Sequence, residues 1–227
     1  MILKLFKIPF VILGDITKLF IIYMPGSFGF KVRYLYYRKR FKKCGKNVII
    51  DLGVTIEGAE LISVGDNVHI DKYCVISTGK TLNGKIQRKF NPSFNGEDGE
   101  IIIGNDVHIV QFCILMGYGG IEIGNNCVLS SGCKIYSLTN IAYDIEDKEK
   151  VISIMPYSQA PFLLSAVFLD DNNWLGLNTI VMPSVSIGKN SFSVSNSIIM
   201  NGFVDNSYIS GNPAKCVRQR FKKKENR

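Results

Sequence analysis

The chain has 227 residues, 46% of them hydrophobic, and a net charge of +8. That apolar fraction excludes a disordered polymer, and the length suits one large domain or one domain with an appendage. The charge is uneven: residues 16–50 hold nine Lys or Arg and no acid, residues 51–214 carry a net −8, and residues 215–227 carry a net +6.

Basic ends suit anionic lipid or ligand phosphate. No helix-turn-helix, zinc-finger or RNA-binding signature accompanies them, so no nucleic-acid partner is expected.

Residues 1–43 read as an apolar and basic helical segment. The run over 1–24 is broken by Pro9, Asp15 and Lys18, which makes it too short to span a bilayer, and it lacks the small-residue cleavage site of a signal peptide. It suits packing on the domain or on a partner subunit, or an interfacial anchor beside Lys31, Arg33, Arg38, Lys39, Arg40, Lys42 and Lys43. A helix is predicted over 29–43, with Gly45 as its stop.

From Cys44 the chain repeats in sixes. Cys44, Ile50, Ile56, Val64, Ile70 and Ile76 open the first hexads, with two extra residues before Val64. Residues 77–100 are rich in Gly, Asn, Pro and Lys and read as an excursion. A second run opens at Ile103, Ile109, Leu115, Ile123, Leu129, Ile135 and Ile141, and residues 142–168 form a second excursion. The third run, residues 169–199, is the most regular. Leu169, Leu175, Val181, Ile187 and Ile199 stand in the first position, Asn172, Asn178, Asn190 and Asn196 in the fourth, and Gly176 and Gly188 in the second.

Neither a helical period of 3.6 nor a strand period of 2 explains six. A short strand plus a corner does. The first and fifth positions point inward, and the fourth takes the positive φ that Asn tolerates. The period is that of a parallel β-helix, about 18 residues per turn and five or six coils. Cys74, Cys113, Cys127 and Cys133 fall in the fifth position as small buried residues; no CxxC pair exists, so neither a disulfide nor a metal site is expected, and a reducing cytoplasm fits.

The repeats occupy 44–210, and 211–227 form a basic tail ending in a short helix. Asn173-Trp174-Leu175-Gly176, Val181-Met182-Pro183, Ser186-Ile187-Gly188 and Gly211-Asn212-Pro213-Ala214-Lys215 together resemble the hexapeptide-repeat acyltransferases. The branch most similar holds the sugar and surface-polysaccharide O-acetyltransferases, with the maltose and galactoside acetyltransferases. The resemblance implies an all-β, left-handed parallel β-helix, a homotrimer with sites between subunits, and acetyl-CoA as donor. It places Trp174, Gly176, Ser195, Asn212, Pro213 and Lys215 at the donor, with Arg218 and Arg220 nearby.

The family's general base is a His after the middle run, and the matching positions here are Asn140 and Ile141. Neither titrates usefully near pH 7. Only His69 and His108 exist; both occupy the sixth, outward position, and His108 is the fallback base. Tyr118, Asp144 and Tyr157 are acceptor-site candidates, because loops on a rigid scaffold carry specificity. The expected function is O-acetylation of a sugar hydroxyl of a polysaccharide or a lipid-linked precursor, in the cytoplasm or at the inner face of the membrane. A catalytically impaired CoA- or glycan-binding relative and a nucleotide-sugar N-acetyltransferase are the alternatives.

Overall fold

A computed structural model describes residues 8–79, 86–141 and 161–221. Helices α1 (Ile8–Tyr23) and α2 (Gly26–Arg38) precede a three-sided parallel β-helix. The first face stacks Lys43–Cys44, Ile62–Val64, Ile101–Ile103, Ile121–Ile123, Val167–Leu169 and Ser186–Ile187. The second stacks Ile49–Ile50, His69–Ile70, His108–Ile109, Val128–Leu129, Trp174–Leu175, Phe192–Ser193 and Ser207–Gly211. The third stacks Thr55–Glu57, Val75–Ser77, Ile114–Met116, Lys134–Tyr136, Ile180–Val181 and Ile198–Ile199.

The hexad explains each part of a coil. First-position side chains fill the interior, and Ile50, Ile70, Ile109, Leu129, Ile135 and Val181 are fully buried. Fourth-position residues turn the corner: Asn47, Asn67, Asp106, Asn126, Asn172, Asn178, Ser184, Asn190 and Asn196 all have positive φ. Second-position Gly45, Gly65, Gly104 and Gly124 abut the backbone of the next coil so closely that a Cβ would overlap it. Third-position carboxamides and carboxylates seal the same corner. Asp66 Oδ1 accepts from Lys46 N, Asn105 Oδ1 from Asp66 N, Asn125 Oδ1 from Asn105 N, and Asp171 Oδ1 from Asn125 N, all at 2.7–2.8 Å.

Fifth-position cysteines are buried and donate to carbonyls one coil along, Cys74 to Val110 O at 3.2 Å and Cys133 to Gly176 O at 3.1 Å. Burial pushes the Cys127 thiol up to about 11, which suits a packed residue and not a nucleophile. Cys44 is only half-buried because it lies on the terminal coil.

Three boundaries differ from expectation. The second helix ends at Arg38, not 43: Arg40 N and Phe41 N both donate to Tyr37 O, and Lys42 N is drawn to Ile62 O of the first face. The tail forms no helix over 214–219. Ala214–Gln219 folds back antiparallel on Ser207–Gly211, whose outer edge would otherwise leave unpaired backbone groups.

The second excursion begins after Ser137, not at 142, and the coil resumes at Val167. Ile141 therefore opens no hexad. Leu138–Asn140 instead pairs antiparallel with Phe162–Leu164, which pairs in parallel with Ile86–Arg88 of the first excursion. The two excursions thus form one small sheet.

α1 and α2 are fastened by Arg33, which is fully buried. Its Nε donates to Ile50 O at 2.7 Å, and one terminal nitrogen reaches Met24 O at 2.7 Å and the last-turn carbonyls of α1 at Ile21 and Ile22. A cation at the negative end of a helix is favourable. Among the described residues no helix is long and apolar enough to cross a membrane.

Candidate functional site

Most residues the motifs assign to the donor do converge. On the second face Trp174 is 45% exposed and donates Nε1–H to Ser130 Oγ at 2.9 Å. The corner after that face carries Gly176, then Ser195 one coil on, then the Gly211-Asn212-Pro213 turn. Ser195, Asn212, Pro213 and Lys215 are exposed. Phe192 meets Trp174 edge-on, Tyr208 stacks on Phe192 at 5.1 Å, and Arg218 lies 4.0 Å over the Tyr208 ring.

Arg220 is tied to the coil, donating to Asn172 O and Ser191 O at 2.8 and 2.9 Å. Gly176 has a packing reason of its own: a Cβ there would stand 2.5 Å from Ser193 O.

His108 belongs to the same flank. It shares the outward column of the second face with Val128 and Trp174, two coils away or roughly 10 Å. Its partner in register is His69, and the rings stack at 5.1 Å. Asp71 stands between them, with Oδ1 3.0 Å from His69 Nε2 and Oδ2 3.1 Å from His108 Nε2.

Asn140 and Ile141 lie elsewhere, on the small excursion sheet beside the third face. Asn140 is exposed, and Ile141 is half-buried with its N–H on Pro161 O. Asp144 and Tyr157 fall outside the described residues. Tyr118 is half-buried in a hydroxyl chain: its Oη lies 3.0 Å from Ser77 Oγ, which donates to Glu57 Oε2 at 2.9 Å.

The excursions also enclose a pocket of about 280 Å³ lined by Arg88, Asn91, Phe94, Asp98, Ser165 and other residues. Buried Asn91 pins its floor, donating to Ala166 O at 2.9 Å and accepting from Ser186 Oγ at 2.9 Å. Ser165 is 3% exposed, and its hydroxyl finds no partner among the described residues. A buried hydroxyl without a partner carries a free-energy penalty that a bound polar group would relieve. Asn91, Ser165, Ser77 and Glu57 were not legible as site residues. None falls at an anomalous place in the hexad, and the excursions have no period to depart from.

No protein-family model matches the chain. It is 27% identical over 183 residues to a dTDP-4-amino-4,6-dideoxy-D-glucose acyltransferase of Escherichia coli, a match covering 81% of this chain and 84% of that protein. Over 53 residues it is 38% identical to a galactoside O-acetyltransferase of Lactococcus lactis, spanning 26% of that protein. Its fold is similar to that of an N-acyltransferase from Bacillus cereus solved with dTDP and coenzyme A. The TM-score there is 0.64 at 23% identity, with 84% of this chain and 90% of that one covered. A hexapeptide-repeat acetyltransferase from Vibrio cholerae, solved with acetyl coenzyme A, gives a TM-score of 0.51 at 16% identity. This likeness assigns the coil its left hand.

Proposed function

We propose that this chain, a member of the hexapeptide-repeat acyltransferases, transfers an acyl group from acyl-coenzyme A to the amino group of a nucleotide-linked sugar. The sequence alone favoured a hydroxyl acceptor. The observation that moves the reading to an amine is the chemistry at 140 and 141, where an amide and an alkyl group stand in place of an imidazole. A sugar hydroxyl must lose its proton as it attacks, which calls for a general base. A neutral amine attacks with its own lone pair. Nitrogen bonds to the thioester carbon, the carbon–sulfur bond breaks, and the departing thiolate takes up the proton shed by nitrogen.

The relative covering 84% of its own length acts, by its name, on such an aminosugar. In this reading Trp174, Ser195, Asn212 and Lys215 hold the donor arm and its phosphates. Arg88, Asn91 and Ser165 face the acceptor. These two groups stand on different corners of the prism, a face of about six residues or roughly 20 Å apart. One chain cannot close both on one ligand, whereas the corner of one copy against the excursion of another can. That supports a homotrimer with sites between chains.

Incubation with acetyl-CoA and dTDP-4-amino-4,6-dideoxyglucose should release free thiol and yield an amide, while the 4-hydroxy analogue should react at least about 100-fold more slowly, the size of a missing general base. Equal rates would refute the amine assignment. Coenzyme A binding without turnover on either acceptor would make the chain a binding protein.

O-acetylation of a sugar is the second reading, supported by the match to the galactoside enzyme. A lipid-linked acceptor would suit α1 and α2, which expose Leu19, Phe20 and Phe28 beside Lys18 and Lys31. Flotation of the full chain with anionic liposomes, lost on deletion of residues 1–30, would support contact with the inner membrane face.

A further inference from the structure

We propose that His69, Asp71 and His108 form a binding site for a divalent transition-metal cation, zinc being the best match. The site is independent of the transfer reading and lies on the second face, two coils from Trp174.

The geometry is that of ligands gathered around a common point. One ring nitrogen of each imidazole and an Asp71 oxygen lie within 4.8 Å of one another; His69 Nε2 stands 3.0 Å from Asp71 Oδ1 and His108 Nε2 3.1 Å from Oδ2. Around a tetrahedral zinc with bonds of about 2.0–2.1 Å, neighbouring ligand atoms stand roughly 3.3 Å apart. His108 Nε2 is hydrogen-bonded to Asp71, but His69 Nε2, an atom shielded from solvent, makes no aligned hydrogen bond among the described residues, even to the oxygen 3.0 Å away. A single carboxylate thus serves one imidazole well and leaves the other unsatisfied, whereas a cation between them would engage all three. Two imidazoles and one carboxylate suit zinc and its neighbours better than magnesium or calcium. Three protein ligands leave a coordination position open.

The repeat supports the same reading. The outward column of the second face is otherwise Ile49, Val128, Trp174, Phe192 and Tyr208, so the paired imidazoles interrupt an apolar and aromatic ladder. The adjoining corner is anomalous too. Among described non-glycine residues with positive φ, all are Asn, Asp or Ser except Tyr73 (φ 59°) and Phe112 (φ 64°). A bulky ring in the left-handed region is strained, and such strain concentrates at functional sites. The two rings stack at 5.7 Å and, with Lys72, Gln111 and Asp51, wall a pocket of about 450 Å³ that opens onto Asp71. The open coordination position would face that space.

The test uses the full chain, stripped with a chelator and titrated with cobalt(II) and then zinc. One equivalent per chain is expected, with the visible bands of a four- or five-coordinate nitrogen–oxygen site and a rise in melting temperature. His69→Gln, Asp71→Asn and His108→Gln should each weaken binding by on the order of 100-fold while melting like the native chain in chelator. Cys216→Ser, which removes the exposed thiol, should change nothing. Absence of cobalt bands or of binding in the native chain overturns the proposal without recourse to any variant. So does undiminished binding in His69→Gln and His108→Gln, or loss of binding in Cys216→Ser.

Discussion

Gly176 separates two explanations that its motif alone cannot. As a donor-site residue it would leave room for the acyl-CoA arm; as a packing residue it lets two coils approach. An alanine Cβ would stand 2.5 Å from Ser193 O, 2.7 Å from Ser195 N and 2.9 Å from Val194 C, all backbone atoms that cannot rotate away. Ordinary contact begins near 3.4 Å, so the sixth coil would have to retreat by about 0.9 Å in a close-packed stack. The retreat would stretch the Gly176 N–Ser193 O bond, now 2.9 Å. Overpacking of this kind costs about 1–3 kcal/mol, and a weakened hydrogen bond adds about 1 kcal/mol.

Gly176→Ala should therefore lose about 2–4 kcal/mol in urea unfolding, with unchanged m-value. Gly202→Ala is the comparison, since its Cβ would meet nothing closer than Ser186 O at 3.1 Å; it should lose less than about 1 kcal/mol. If Gly176→Ala unfolds like the native chain and only its affinity for coenzyme A falls, the packing argument is refuted.

Introducing Asn140→His or Ile141→His should leave amine acylation within about 3-fold and raise any hydroxyl acylation by about 10²–10⁴; a comparable rise on the amine would remove the reason for preferring it. Arg33→Met should loosen α1 from the first coil, because four carbonyls lose a charged donor. Hydrogen exchange in α1 should accelerate by on the order of 100-fold, and unchanged protection would show that the helix is held by other contacts.

Burial pushes Tyr37 up to about 12, against 10 in the unfolded chain. Its neutral form thus contributes about 2–3 kcal/mol below pH 10, lost as pH rises from 10 to 12. Tyr37→Phe should flatten that part of the stability curve; an unchanged curve would contradict the assignment.

The hexad alone determined the coil: which aliphatics point inward, where Asn turns the corner, why thiols sit in the fifth position. Each is a local consequence of a strand and a turn closing every six residues, so it can be read without knowing what lies above or below. The GNPAK tail and the Trp174 and Gly176 motifs fall on one flank, because stacking in register carries a linear period straight into a column. What the period could not foresee is where aperiodic segments go. Ile86–Arg88 meets Phe162–Leu164 far along the chain, and Ala214–Gln219 doubles back on the neighbouring Ser207–Gly211, because open edges and unpaired backbone groups select their partners by position in space. His69 and His108 are 39 residues apart in sequence with an excursion between them, yet adjacent coils set them in register on one carboxylate. Only the stack, by fixing how many residues leave the helix before the next coil begins, decided that they would meet.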